Sequence, residues 1–153
     1  MIKGWILYKK NKSELDNADH GVIQFLDKAA TLDIQLEVYK PEEFDLILSS
    51  QEECGLFLKG ERCALPDFIL PRLGADTHYH AMTIIKYIES LGVYCVNSAQ
   101  SIDNVRDKMQ VSRLLAQHQL PFPKTMLLKF PATLQLISQE IGFHLVIKTL
   151  ARL

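Results

Sequence analysis

The chain has 153 residues, 48% hydrophobic and 23% charged, with a formal net charge of −1. That is one domain's worth, or one domain and part of another, and it excludes a disordered or low-complexity chain. No apolar run approaches the ~20 residues that span a bilayer, and "MIKGWILYKKNKSELD" lacks the apolar core and cleavage site of a secretory signal. A cytoplasmic protein with no membrane partner is expected.

The elements follow in order. "KGWILY" (3–8) is an apolar-aromatic first strand. Ser13 with Asp16 three residues on is a weak helix-start signal, and Val22, Ile23, Phe25, Leu26, Ala29 and Ala30 then recur at helical spacing. "IQLEVY" (34–39) alternates and is rich in branched residues, a second strand. After Pro41, "FDLILSS" (44–50) is a third strand or part of one. In "GLFLKGERCAL" two apolar pieces flank Lys59-Gly60-Glu61, the pattern of a hairpin. "DFILPR" (67–72) is a buried strand that Pro71 ends. A helix from about Asp76 to Leu91, closed by Gly92, leads to "VYCVN" (93–97). Nearly all-apolar strands alternating with helices predict an α/β fold. Its sheet is small, mostly parallel and open, with helices on both faces, over residues 1–97.

Residues 98–123 form a junction. Ser98 to Asn104 is a short polar helix or turn, and "RDKMQVSRLLAQHQ" (106–119) carries Met109, Val111, Leu114 and Leu115 at helical spacing. "LPFPKT" is a stiff connector, because each proline fixes its own φ and restrains its predecessor. Then "TMLLKF" (125–130), "PATLQLISQEIG" (131–142) and "FHLVIKTL" (143–150) predict strand, helix and strand. Residues 124–153 thus read as the opening of a second, incomplete α+β unit.

The charge is uneven. Residues 13–67 hold thirteen acids and four bases, and residues 68–153 hold five acids and nine bases. The basic stretch suits a polyanion such as a nucleotide, or is ordinary surface charge. The total gives no reason to expect nucleic acid. Cys54, Cys63 and Cys95 form no CxxC pair, so reduced packing thiols are expected and neither a disulfide framework nor a zinc site.

Most simple signatures are absent: GxGxxG, GxxxxGK[ST], GxSxG and HExxH. His78 and His80 stand two apart on a predicted helix and point in different directions, so they cannot chelate one metal. A structural or solvent role is expected for them and for His20, His118 and His144.

Three polar features stand against apolar surroundings. Arg72 follows a buried strand, at the sheet edge where open α/β folds bind ligands; it either grips an oxyanion or pairs with a surface acid. Asn97-Ser98 follows another strand at the same kind of edge, for a ligand or for a helix cap. Lys108 falls in the first turns of a helix and Lys148 sits within "LVIKTL". Each is suited to a phosphate, or stands exposed.

In combination, "LPDFILPRLG", "LGVYCVNSAQSIDNVRDKMQVSRLLAQHQLPFPKT" and "LVIKTL" resemble the ATP-grasp superfamily, over about residues 65–150. The RimK-type α-L-glutamate ligases are the nearer likeness and glutathione synthetase the more distant one. The resemblance implies a pre-ATP-grasp domain followed by the start of an ATP-grasp domain. It also implies a chemistry in which ATP phosphorylates a carboxylate, an amine attacks the acyl phosphate, and Mg2+ bridges the phosphates.

By the same resemblance Lys108 and Lys148 match phosphate-contacting lysines. Arg72 matches an arginine at the pocket edge, and Asn97 an asparagine at the domain junction. The departure is that Lys148 leads into "TLARL" where the family has a glycine-rich loop, so no catalytic residue and no metal ligand can be assigned. The expectation is therefore the N-terminal part of an ATP-dependent carboxylate–amine ligase, itself inactive. Its parent would use ATP and Mg2+, an amino acid such as glutamate, and an amine acceptor on a peptide or protein. The chain itself would bind neither cofactor tightly. The rival is a non-catalytic small-ligand or partner-binding module derived from such a ligase. The unfinished C-terminal unit leads us to expect a homodimer or a segment swap.

Overall fold

The computed structural model describes residues 1–50, 53–74 and 78–148. It divides into two compact units, residues 1–99 and 100–153.

The first unit runs β1 (Ile2–Leu7), α1 (His20–Ala30), β2 (Ile34–Tyr39), β3 (Phe44–Ile47), β4 (Gly55–Leu58), β5 (Glu61–Arg62), β6 (Phe68–Pro71), α2 (Tyr79–Ser90) and β7 (Tyr94–Cys95). β1 is the organising strand. It pairs in parallel with β2, from Ile2 opposite Ile34 to Leu7 opposite Tyr39. On its other side it pairs in parallel with β6, from Gly4 opposite Phe68 to Leu7 opposite Pro71. β7 joins β6 in parallel, which completes a four-stranded sheet of order β2-β1-β6-β7. The α/β fold with its parallel sheet is thus as expected.

The crossovers explain the layers. β1 to β2 and β6 to β7 step in opposite directions across the sheet. Right-handed crossovers then place α1 and α2 on opposite faces. On the α1 face Ile6, Leu36 and Val38 meet Val22 and Ala29, with Leu26, Phe68 and Leu70 packed alongside. Strand alternation turns Trp5, Leu7 and Ile69 to the other face, where α2 buries Ala81, Met82, Ile84, Ile85 and Ile88.

β3, β4 and β5 form a separate antiparallel sheet. Its hairpin turns at Lys59 (φ 53°) and Gly60 (φ 84°), and two consecutive positive φ values are what a two-residue hairpin of matching twist requires. The aromatic rings of Trp5, Tyr39 and Phe44 join it to the parallel sheet, with centroids 5.4–5.7 Å apart. His80 reinforces the join from α2, its Nε2 lying 3.1 Å from the carbonyl oxygens of both Pro41 and Phe44. One N–H shared between two carbonyls is a structural role. Gly92, at φ 83°, closes α2 in the left-handed conformation that suits glycine.

The second unit contains most of α3 (Ala99–Arg106), then α4 (Lys108–Gln117) and α5 (Leu134–Glu140). Here the strand expectations are corrected. Residues 125–130 and 143–148 form no strand, and residues 149–150 lie outside the described residues. Both segments are apolar enough for strands, yet a strand needs a neighbour for its N–H and C=O groups. No described segment of this unit pairs with either. Phe130, Phe143, Val146 and Ile147 are consequently exposed, at 74–82%. In the first unit β3 takes up part of the segment 44–50, and the strand expected over 93–97 is shorter, Tyr94–Cys95. The helix expected from Asp76 begins at Tyr79, with residues 75–77 outside the described residues.

The α2 face fixes the first prediction. Ile85 is fully buried. Ile85→Ala should cost about 2–5 kcal/mol in chemical denaturation, through lost burial and a residual cavity, whereas Tyr79→Ala on the exposed side should stay within about 0.5 kcal/mol. Equal effects would contradict this packing.

Candidate functional site

All four parallel strands end at one edge of the sheet. Pairing continues one residue past each end: Tyr8 donates its N–H to Tyr39 O at 2.9 Å, Arg72 to Leu7 O at 2.8 Å, and Val96 to Ile69 O at 2.9 Å. This carboxyl edge therefore gathers Tyr8–Lys10, Lys40, Arg72 and Asn97. Between β1 and β6 the chain reverses its direction of winding, and ligands of open α/β sheets settle at such a reversal.

Arg72 stands at that reversal, and Asn97 lies just past the neighbouring strand end. Both are exposed. The Arg72 guanidinium carbon is 5.8 Å from the centroid of the Phe25 ring on α1. None of the ion pairs among the described residues contains Arg72. The surface-acid alternative for Arg72 finds no partner in that set, and the ring is its partner there.

Beside it the loop from β1 to α1 is fastened by a buried carboxylate that sequence reasoning missed. Asp19 is only 3% exposed. It accepts from Tyr8 Oη at 2.8 Å, Lys10 Nζ at 2.7 Å and the backbone N–H of Asp16 at 3.0 Å. Lys10 also reaches Asp16 at 2.7 Å. The Asp16-x-x-Asp19 spacing is that of a capping box, and Asp16 caps the short turn Asn17–Asp19 by accepting from Ala18 N–H at 2.8 Å. That spacing was the available signal, though nothing in it distinguishes a buried acid from a solvated one. Lys10, and then the Asp16 N–H, hold the Asp19 carboxyl well below the usual carboxylate range. The two aspartates in turn hold the Lys10 ammonium well above the usual lysine value.

The two remaining candidates belong to the second unit. Lys108 is the first residue of α4 and is exposed; the preceding Asp107 caps the helix, accepting from Met109 and Gln110 N–H at 2.8 and 3.1 Å. A cation at a helix N-terminus opposes the macrodipole, and the capping carboxylate offsets this. Lys148 is exposed, one of the two readings its sequence allowed, and lies outside any strand, where the strand over 143–150 was expected. The four candidates are thus divided between units, Arg72 and Asn97 in one, Lys108 and Lys148 in the other.

Other chemistry is limited. Burial pushes the Cys95 thiol up to about 11 and raises Cys63, so neither is a thiolate at neutral pH. Among the described residues no group of three or more His, Cys, Asp or Glu side chains could hold a metal ion. Concavities among the described residues include two. One of about 240 Å³ runs along β1 and β2 beside the antiparallel sheet, on Lys3, Trp5, Glu37, Tyr39 and Pro66. The other, of about 400 Å³, lies in the second unit on Asp107, Gln110, Arg113, Phe122 and Thr125.

Residues 18–102 match the family described as the RimK PreATP-grasp domain. The chain belongs to this family. Similar proteins include a probable alpha-L-glutamate ligase of Rhodopirellula baltica, 29% identical over 102 residues, which are 67% of this chain and 25% of that one. One from Vibrio parahaemolyticus is 31% identical over 93 residues, 60% of this chain and 31% of its own. One from Legionella pneumophila is 35% identical over 85 residues, 55% of this chain and 28% of its own. The chain spans about a quarter to a third of the length of these relatives. Within the RimK pre-ATP-grasp match fall Asp19, Arg72 and Asn97, while Lys10 precedes it and Lys108 and Lys148 follow it.

The Lys10–Asp16–Asp19 cluster predicts a pH dependence. The aspartates' native pKa values are depressed, by Lys10 first in both. Their contribution to stability is therefore full above the unfolded value of about 4 and is lost as pH falls through the native values. That of Lys10 has the opposite sign, full below about 10 and lost above it. Asp19→Asn should reduce the denaturation midpoint at neutral pH and flatten its decline toward pH 3. An unchanged acid slope would show that the cluster does not form in solution.

Proposed function

We propose that this chain is the amino-terminal part of a cytoplasmic ATP-dependent carboxylate–amine ligase. The whole protein would join glutamate, or a similar amino acid, to an amine acceptor on a peptide or protein through an acyl phosphate. The observation that carries this reading is the match of residues 18–102 to a RimK pre-ATP-grasp domain, together with relatives named as probable alpha-L-glutamate ligases. On this reading residues 1–97 are the pre-ATP-grasp domain, 98–123 the junction, and 124–153 the start of the ATP-grasp domain.

The side chains divide the work. Lys108 and Lys148 are cations for ATP phosphates, whose charge Mg2+ would share in the parent. Arg72, with its planar fork of N–H donors, suits a substrate carboxylate at the sheet edge, and Asn97 lies beside it. No helix among the described residues is long and apolar enough to cross a membrane.

The 153 residues alone would not turn over. A phosphate site built on two exposed lysines lacks the converging donors that hold a nucleotide. Calorimetric titration of the chain with Mg-ATP should show no micromolar binding. A micromolar site would overturn this reading and favour a self-sufficient binding module. The exposed Phe130, Phe143, Val146 and Ile147 supply an apolar surface for self-association. Light scattering after size exclusion should give a dimer, and a strict monomer at high concentration would contradict the association.

A further inference from the structure

Phe25 departs from its helix. Val22 and Ala29 of α1 are buried and Leu26 packs against them, but Phe25 is 41% exposed and lies outside that core cluster. An aromatic ring left half in water gains little from the fold. Its neighbour is the Arg72 guanidinium, 5.8 Å from the ring centroid and within cation–π range. Arg72 stands where the sheet reverses its winding, and its backbone is pinned there by the bond to Leu7 O at 2.8 Å.

We propose that Phe25 is a positioning residue for Arg72, holding its guanidinium at the carboxyl edge ready for the carboxylate of an amino-acid substrate. This rests on the reading of Arg72 as a substrate-binding residue given above. An arginine side chain otherwise samples many rotamers, and fixing it beforehand lowers the entropic cost of binding. A ring attracts the cation without accepting its N–H bonds, whereas a carboxylate partner would occupy the donor fork. A ring-held arginine is therefore poised and still able to bind a carboxylate through two parallel N–H bonds.

The test follows the Arg72 Nε–H signal by NMR in the 153-residue chain, titrated with L-glutamate and separately with inorganic phosphate. In the wild type this signal should be displaced upfield by the ring current relative to Phe25→Leu, and glutamate should move it. Phe25→Leu should weaken glutamate binding by about two- to five-fold, the equivalent of an exposed cation–π contact, without changing thermal stability by a comparable factor. Phe25→Trp should restore both the upfield position and the affinity. Three results overturn the proposal. Identical Arg72 signals in wild type and Phe25→Leu would show that the contact does not exist in solution. Equal glutamate affinities would remove the positioning role while leaving Arg72 as a substrate-binding residue. An Arg72 signal unmoved by glutamate, or moved by phosphate alone, would remove the reading of Arg72 as a carboxylate site and the positioning role with it.

Discussion

The fold of the first unit depends on the parallel pairing of β1 with a strand on each side. An interior parallel strand must satisfy its backbone on both edges and bury its side chains on both faces. Gly4 to Leu7 meet this: all four are buried, and none carries a charge. The two crossovers leave this centre in opposite directions, so the reversal of winding falls at the end of β1. The charged groups of the β1 exit stand past Leu7, because the buried part of the strand, Gly4 to Leu7, carries none. Tyr8, Lys10, Asp16 and Asp19 tie the strand's exit into a closed hydrogen-bonded set, and Arg72 emerges on the neighbouring strand.

Much of this was legible. "DFILPR" and "IQLEVY" are nearly all apolar or alternate with branched residues, and they form the parallel strands expected of them. Gly60 marked the hairpin because few other residues accept its φ. The position of Arg72 followed from its place after a strand that Pro71 ends. What failed to show were properties set by the partner. "TMLLKF" and "FHLVIKTL" have strand composition, but composition supplies no neighbour, and without one the backbone forms no ladder. Phe25 fitted the helical stripe by spacing, yet α1 lies so that the stripe is narrower and the ring points toward a cation. Asp19 carries no distinguishing mark in the sequence. Its burial depends on Lys10 and Tyr8 converging from across the loop, which no local pattern records.

The family assignment and the geometry meet at one place. The matched residues include Arg72 and Asn97, which the structure sets at the carboxyl ends of adjacent strands. The candidate nucleotide lysines sit in the other unit, outside the match. On the proposed reading the first unit supplies a substrate edge with its own supports, and the residues after it carry the phosphate chemistry.

The central claim is that the carboxyl edge of the parallel sheet is the binding edge of this chain. Backbone amide shifts mapped across the labelled chain during titration with L-glutamate test it most directly. The account predicts the largest changes at Tyr8 to Lys10, at Arg72 and Gly74, and at Asn97. Changes confined to Lys3, Gln35 and Glu37 in the groove along β1 and β2, or to the second unit, would contradict it.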